Sequence, residues 1–159
     1  MVSTTFDARL IELIQFFENY TKAKVKDAFF DTNEKLTFVV EKGEIGKAVG
    51  KSASILKKVE EKMGRRIRVA EYTEDKLALI RSLVAPLALV RISEDENGVV
   101  YMEGKDEKTT GLLIGKQARN LRNLEWMVRR YMPVEEIRVE EQPEGAQALK
   151  SEENSQSTD

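Results

Sequence analysis

The sequence predicts an α+β protein built as two tandem copies of one unit, and three observations predict it. First, one short motif occurs twice. It reads Ala48-Val49-Gly50-Lys51-Ser52-Ala53-Ser54-Ile55-Leu56 and then Leu113-Ile114-Gly115-Lys116-Gln117-Ala118-Arg119-Asn120-Leu121. Both copies give an aliphatic residue, Gly-Lys, a polar residue, Ala, two variable positions and, last in each copy, Leu. Second, the surroundings repeat as well: a β-rich stretch and a further glycine (Gly46; Gly111) precede each motif, and an amphipathic stretch followed by a β-rich one comes after it. Third, hydrophobic periodicity gives both halves the order helix–strand–strand–helix–loop–helix–strand.

The elements follow in chain order. Phe6, Leu10, Leu13, Ile14 and Phe17 share one face of a helix over residues 6–20, and Thr4 with Asp7 reads as its start. Lys24 to Asp31 is β-like, with Asp31-Thr32-Asn33 as a turn. Leu36 to Val40 is rich in β-branched residues and reads as a second strand. A helical turn from Gly43 to Val49 leads into the motif. Ile55, Leu56, Val59 and Met63 line the next helix, Gly64 suits its C-terminal cap, and Arg65 to Tyr72 is a strand. The second unit opens without a linker: Thr73 is read as capping a helix that carries Leu77, Ile80 and Val84 and ends near Pro86. Strands follow at Leu87 to Ser93 and Val99 to Glu103, around the polar turn Glu94 to Gly98. Asp106 starts the helix leading to Gly115, Leu121, Leu124, Val128 and Tyr131 line the last helix, and Ile137 to Glu140 is the final strand. From Gln142 the chain is rich in Glu, Ser and Gln with little to bury, and is expected to be disordered. The division expected is therefore 1–73, 74–141 and an acidic tail, 142–159. Units of this size bury only about 60% of their unfolded surface, so the two are expected to pack together rather than behave as separate beads.

Composition narrows the chemistry. There is no cysteine and no histidine, which excludes disulfides, thiol catalysis, imidazole bases and zinc sites built on those ligands. No cofactor is expected. No run of about 18 apolar residues exists, and Met1 to Asp7 lacks the pattern of a signal peptide, so a cytoplasmic protein without membrane contact is expected. The net charge of −2 hides an asymmetry. Lys42 to Arg68 holds nine Lys/Arg against three Asp/Glu, and Lys105 to Arg138 eight against five. Glu140 to Asp159 holds one against six. Basic residues thus gather where the motif lies, and local charge is what a nucleic acid meets.

A glycine at a helix N-terminus lets the backbone approach closely, and the first helical amides are free to donate. The helix dipole favours an anion there, and a lysine follows each glycine. Val49 or Ile114 before the glycine, and Leu56 or Leu121 after it, can supply an apolar wall. A phosphate clamp beside an apolar surface suits single-stranded nucleic acid, whose bases are unstacked. One copy alone would read as an ordinary turn; two copies in matching contexts point to function. Arg119, Arg122, Trp126 and Arg129 share a helix face. They read either as a basic–aromatic surface or as solvated arginines beside a tryptophan partly buried between the units. A nucleotide-hydrolysing P-loop is the enzymatic rival, and it fails on spacing. Three residues rather than four separate Gly46 from Gly50, and the second copy ends Lys116-Gln117 without a hydroxyl. No enzymatic activity is expected.

The aliphatic-Gly-x-x-Gly-x-x-aliphatic pattern between two helices, repeated, resembles the K-homology (KH) RNA-binding domain. The helix and strand ahead of each core resemble its bacterial, type II form. Two such units with an acidic tail resemble the archaeal NusA-like transcription factors, over residues 5–140. The resemblance implies two tandem type II KH domains, each a three-stranded sheet covered on one face by helices. It implies loops that contact the backbone of single-stranded RNA, a role in transcription elongation, termination or antitermination, and RNA polymerase as a further candidate partner; a monomer is expected. The RNA-contact candidates are Gly46, Lys47, Val49, Gly50, Lys51, Ser52, Ala53 and Lys57 in the first unit. In the second they are Ile114, Gly115, Lys116, Gln117, Ala118, Arg119, Asn120 and Arg122. The sequence departs from the family pattern at the second loop glycine, which is alanine in both units (Ala53, Ala118). A Cβ there is tolerated if φ is negative and strained if the residue is left-handed. The alternative reading is a protein-interaction module, with degenerate KH domains docked on the transcription or translation machinery. Replacing Gly50 or Gly115 by Asp is expected to cut RNA affinity and leave unfolding nearly unchanged.

Overall fold

The computed structural model describes residues 8–141. The helix start read at Thr4 to Asp7 and the tail from Gln142 lie outside those residues. The first unit contains α1 (Ala8–Thr21), β1 (Val25–Phe30), β2 (Leu36–Val40), α2 (Ile45–Val49), α3 (Ser54–Met63) and β3 (Ile67–Glu71). The second contains α4 (Lys76–Val84), β4 (Leu89–Glu94), β5 (Val99–Gly104), α5 (Glu107–Ile114), α6 (Arg119–Arg129) and β6 (Glu136–Val139). Each motif forms a single 3₁₀ turn, Lys51–Ala53 or Lys116–Ala118, between two helices.

The order αββααβ therefore occurs twice, and so does the topology. Each unit forms its own three-stranded sheet, β1-β2-β3 or β4-β5-β6. The central strand runs antiparallel to the strand before it and parallel to the strand after it. Even a register shift recurs, between Val25 and Asp27 in β1 and between Leu89 and Arg91 in β4.

Alternation along β2 explains how the units join. Leu36, Phe38 and Val40 face the unit's own helices, in a core with Phe17 of α1, Ala48 of α2 and Val59 of α3. Phe17 and Phe38 stack with centroids 4.1 Å apart and are fully buried. Burial of a ring this large is worth roughly 1.5–3 kcal/mol. Val39, with Phe29 and Ala70, faces the other way into a second core made with Leu79, Ile80, Leu124 and Met127. The helices of the first unit thus cover one face of its sheet, and α4 and α6 of the second unit cover the other. All five residues of β2 are buried in consequence.

Polar groups pin this seam. Asp31 of the β1–β2 turn is buried and ion-paired with Arg68 of β3, and it accepts a hydrogen bond from Asn123 Nδ2 of α6 at 3.0 Å. Burial pushes its carboxyl up, but hydrogen bonds from Arg68, the Lys35 amide and Asn123 outweigh that and hold it below the usual carboxylate value. Asn123 Oδ1 in turn accepts from the Thr32 amide and hydroxyl, at 3.0 and 2.8 Å. At the far end of α6, Arg130 and Tyr131 both donate to Asp27 of β1, at 2.8 and 2.7 Å. Burial, then the Asp27 bond, raises the Tyr131 hydroxyl well above its ordinary value.

Two caps are informative. Gly64 is left-handed (φ +66°) and closes α3, as its position in the sequence suggests. The start of α4 corrects the sequence reading, which places Thr73 at the cap. Asp75 is the N-cap, accepting from the Leu77 and Ala78 amides, and Thr73 instead accepts a bond from the Asp75 amide. Asp and Thr are both good caps, so composition alone does not separate them.

Candidate nucleic-acid interface

The two loops are one backbone conformation built twice. Gly50 has φ +74° and ψ 176°, and Gly115 has φ +73° and ψ 173°. This region is essentially open to glycine alone. A Cβ on Gly50 would lie 2.7 Å from Ile55 Cγ1, and one on Gly115 would lie 2.6 Å from Asn120 Cγ. Both glycines are therefore required by backbone shape and by space. The upstream glycines differ in kind: a Cβ on Gly46 or Gly111 would meet nothing within 4 Å. Packing does not demand them, and they leave bare helix surface beside each loop.

The next residues settle the alanine question against the relaxed alternative. Ser52 (φ 53°, ψ 35°) and Ala53 (φ 59°, ψ 25°) are both left-handed. Gln117 (φ 55°, ψ 35°) and Ala118 (φ 60°, ψ 23°) repeat them. Alanine thus occupies a position that favours glycine, and the left-handed form costs an L-residue about 1–2 kcal/mol. Strain of this kind persists where surrounding structure over-determines it, and here it appears twice. It also changes the meaning of a glycine substitution. Gly50→Asp or Gly115→Asp would force a side chain into a glycine-only conformation, so either should lower the unfolding temperature as well as RNA affinity, and the near-unchanged unfolding expected from the sequence does not hold.

The loop polar groups are open. The Gly50 and Gly115 amides return to Gly46 and Gly111 carbonyls at 2.9 Å, and the Ala53 and Ala118 amides reach the loop-glycine carbonyls at 3.3 and 3.2 Å. Between them, the amides of Lys51 and Ser52, and of Lys116 and Gln117, donate to nothing within the described residues. Successive free amides in such a turn form an anion-binding concavity. The Lys51 and Lys116 side chains are exposed and without a hydrogen bond or ion pair among the described residues. Lys57 is likewise exposed and unpaired, whereas Lys47 is engaged by Glu44 at 2.9 Å. Val49 and Ile114 are half-buried beside the loops. Leu56 is half-buried too, but Leu121 is buried in the seam core, so only the first unit keeps the expected leucine at its wall.

Beyond the second loop the candidate residues are already partnered. Arg119 Nε donates to Asn33 Oδ1 at 2.8 Å, across the seam. Asn120 Nδ2 donates to the Leu112 carbonyl at 2.8 Å, and Asn120 Oδ1 accepts from Asn33 at 3.3 Å. Arg122 Nη1 donates to both carboxylate oxygens of Glu125, at 2.8 and 2.7 Å. The sequence reading missed Glu125 and its counterpart Glu60. Each sits ten residues after its loop glycine and accepts the amide of the isoleucine in the following strand, Ile137 at 2.8 Å or Ile67 at 3.0 Å. That shared offset is the signal that identifies them.

With this geometry established, known proteins supply the context. No family model matches the chain. A probable transcription termination protein NusA from Methanococcus vannielii is 32% identical over 128 residues, covering 79% of this chain and 73% of that protein. The chain belongs to the NusA family. The NusA relative from Methanocaldococcus jannaschii is 28% identical over 128 residues, covering 79% of this chain and 69% of that protein. The crystal structure of APE1850 matches with a TM-score of 0.60 at 25% identity, covering 82% of this chain and 96% of that one. The archaeal NusA assignment and the repeated αββααβ topology agree with tandem type II KH units. Among the described residues no helix is long and apolar enough to cross a membrane.

Proposed function

We propose that this NusA-family chain binds single-stranded RNA and acts in transcription elongation, termination or antitermination, as a binding protein rather than a catalyst. The chain divides on this reading into KH units at 1–73 and 74–141, and both loops clamp the RNA backbone. Gly50 to Ala53 and Gly115 to Ala118 provide the contacts, with Lys51 and Lys116 adding charge. The observation that carries the reading is the matched pair of loops: the same strained dihedrals, two free amides in each, and an unpaired lysine in each. The first loop adds Lys57; Gly46 leaves open backbone beside it, and Val49 lies at its apolar side. The second adds Ile114 and the helix start from Arg119 to Arg122. RNA polymerase is the natural further partner of a cytoplasmic, monomeric factor of this kind. The shared core between the units supports one strand lying across both loops rather than two separate sites.

The test is a titration of labelled single-stranded and duplex RNA at two salt concentrations. Single strands should bind more tightly than duplex, with log K falling by about 0.7 per log salt for each phosphate neutralised. Equal affinity for duplex, or no binding at low salt, overturns the reading and leaves docking on a protein as the function of the two units.

A further inference from the structure

A cavity of about 460 Å³ opens at the seam, away from the backbone of either loop, lined by Thr32 and Asn33 of the first unit and by Arg119, Arg122, Trp126 and Arg129 of α6, with Glu125. We propose that it holds one nucleotide of the bound RNA, its base against the Trp126 indole and its phosphate among the arginines. The proposal rests on the reading that the loops bind single-stranded RNA, and it adds a contact that neither loop supplies.

Four features point there. The lining carries three arginines against one glutamate, and that glutamate is already occupied by Arg122 and the Ile137 amide. The pocket is therefore electropositive. Arg119 spends only its Nε hydrogen, on Asn33, so its terminal N–H groups remain available to a phosphate. Arg129 is fixed by the carbonyls of Val134 and Glu135, at 3.0 and 2.7 Å, and its Nη1 lies 4.0 Å from Glu125 Oε1, so its guanidinium is held in place at the pocket wall. Trp126 is half-buried and held in place, edge-to-face with Phe29 at 5.6 Å and beneath Arg130 at 5.6 Å. Its indole N–H donates to nothing within the described residues. A rigid aromatic surface beside cations is the chemistry that takes an unstacked base, and the volume falls in the range of small-molecule pockets.

Position supports the same occupant. Arg119 directly follows Ala118 of the second loop, and Trp126 lies seven residues further on, about 10 Å along the helix. A strand whose phosphate rests on the second loop can follow α6 toward the first unit and pass the pocket. The first unit has no copy of it: the positions matching Arg119, Trp126 and Arg129 are Ser54, Glu61 and Gly64. The pocket exists because Thr32 and Asn33 dock against α6.

Trp126 is the only tryptophan in the chain, so its emission reports on this pocket alone. The full chain is titrated with a single-stranded RNA of about a dozen nucleotides. Binding is followed by anisotropy of the labelled RNA, and the pocket by tryptophan emission and acrylamide quenching. The result expected is quenching of Trp126 that follows the anisotropy isotherm, with acrylamide access reduced. Trp126→Leu, which keeps apolar contact with Phe29, should weaken binding about tenfold, and Arg119→Gln should weaken it while reducing the quenching at saturation. If anisotropy shows binding while Trp126 emission and acrylamide access stay unchanged, the pocket is off the RNA path and the proposal is overturned, with the loop reading intact. A pocket that answers only to protein partners would give that result. Absence of RNA binding by anisotropy overturns both.

Discussion

The β1–β2 and β4–β5 turns are the same device in two surroundings. Asp31 Oδ1 accepts the amides of Asn33 and Lys35 at 2.8 and 2.9 Å, and Asp95 Oδ1 accepts those of Asn97 and Val99 at 2.8 and 3.0 Å. The second carboxylate oxygen separates them. In Asp31 it meets Arg68 and Asn123 inside the seam, whereas in Asp95 it meets only the Tyr101 hydroxyl, at 3.2 Å. The sheets differ in the same sense. Every residue of β2 is buried, while β5 alternates only from Val100 onward, with Tyr101 and Glu103 half-exposed on a face that no second unit covers among the described residues. The repeat sets the backbone twice over, and the neighbour decides whether a given carboxylate is a turn former or a bolt between units.

The largest effect expected is at that bolt. Asp31→Asn keeps the turn but leaves Arg68 unpaired with its side chain 17% exposed, and breaking a buried pair costs about 3–5 kcal/mol. Denaturant unfolding should show it, and Asp95→Asn should lose distinctly less. The pH dependence has a definite sign. The folded Asp31 pKa is depressed, so its contribution is complete above the unfolded value of about 3.9 and is lost as pH falls through the lower folded value. Asp31→Asn should remove that part of the acid slope.

The loop glycines come next. Gly50→Ala and Gly115→Ala should each destabilise by roughly 1–3 kcal/mol. Gly115→Ala is expected to be the worse of the two. Its Cβ would also lie 2.9 Å from the Asn120 backbone nitrogen, whereas the three atoms nearest a Gly50 Cβ all belong to the side chains of Ile55 and Ser54. Thermal melts of the pair decide this. The smallest effect belongs to the alanines: Ala53→Gly and Ala118→Gly relieve a left-handed Cβ but add unfolded-state entropy, leaving a gain of at most about 1 kcal/mol. RNA affinity should stay level or rise in both.

Much of this was legible in the residues. The repeated motif with its flanking periodicity places every element, and Leu36 to Val40 matches β2 residue for residue. What periodicity does not carry is which polar groups meet across the seam. Asp31 lies 92 residues before its partner Asn123 and Asn33 lies 87 before Asn120, and nothing local in a turn says that it will be buried. Arg119 and Asn120 read as free loop neighbours because their partner, Asn33, belongs to the other unit. The sign of φ at Ala53 and Ala118 stayed open for a different reason. Alanine carries no sign of a positive φ, and only the closure of the loop between two packed helices imposes it.

Whether both loops engage one RNA strand is tested by the exposed lysines, Lys51 and Lys116, without touching the strained backbone. Single-stranded RNA long enough to span both loops is titrated against Lys51→Glu, Lys116→Glu and the double variant, with melting followed in parallel. Each single variant should lose affinity and the double variant should lose more than either. The salt slope should fall by about 0.7 for each phosphate contact removed, and melting temperatures should stay near the parent. Parent-like affinity in the double variant, with the fold intact, would contradict the account.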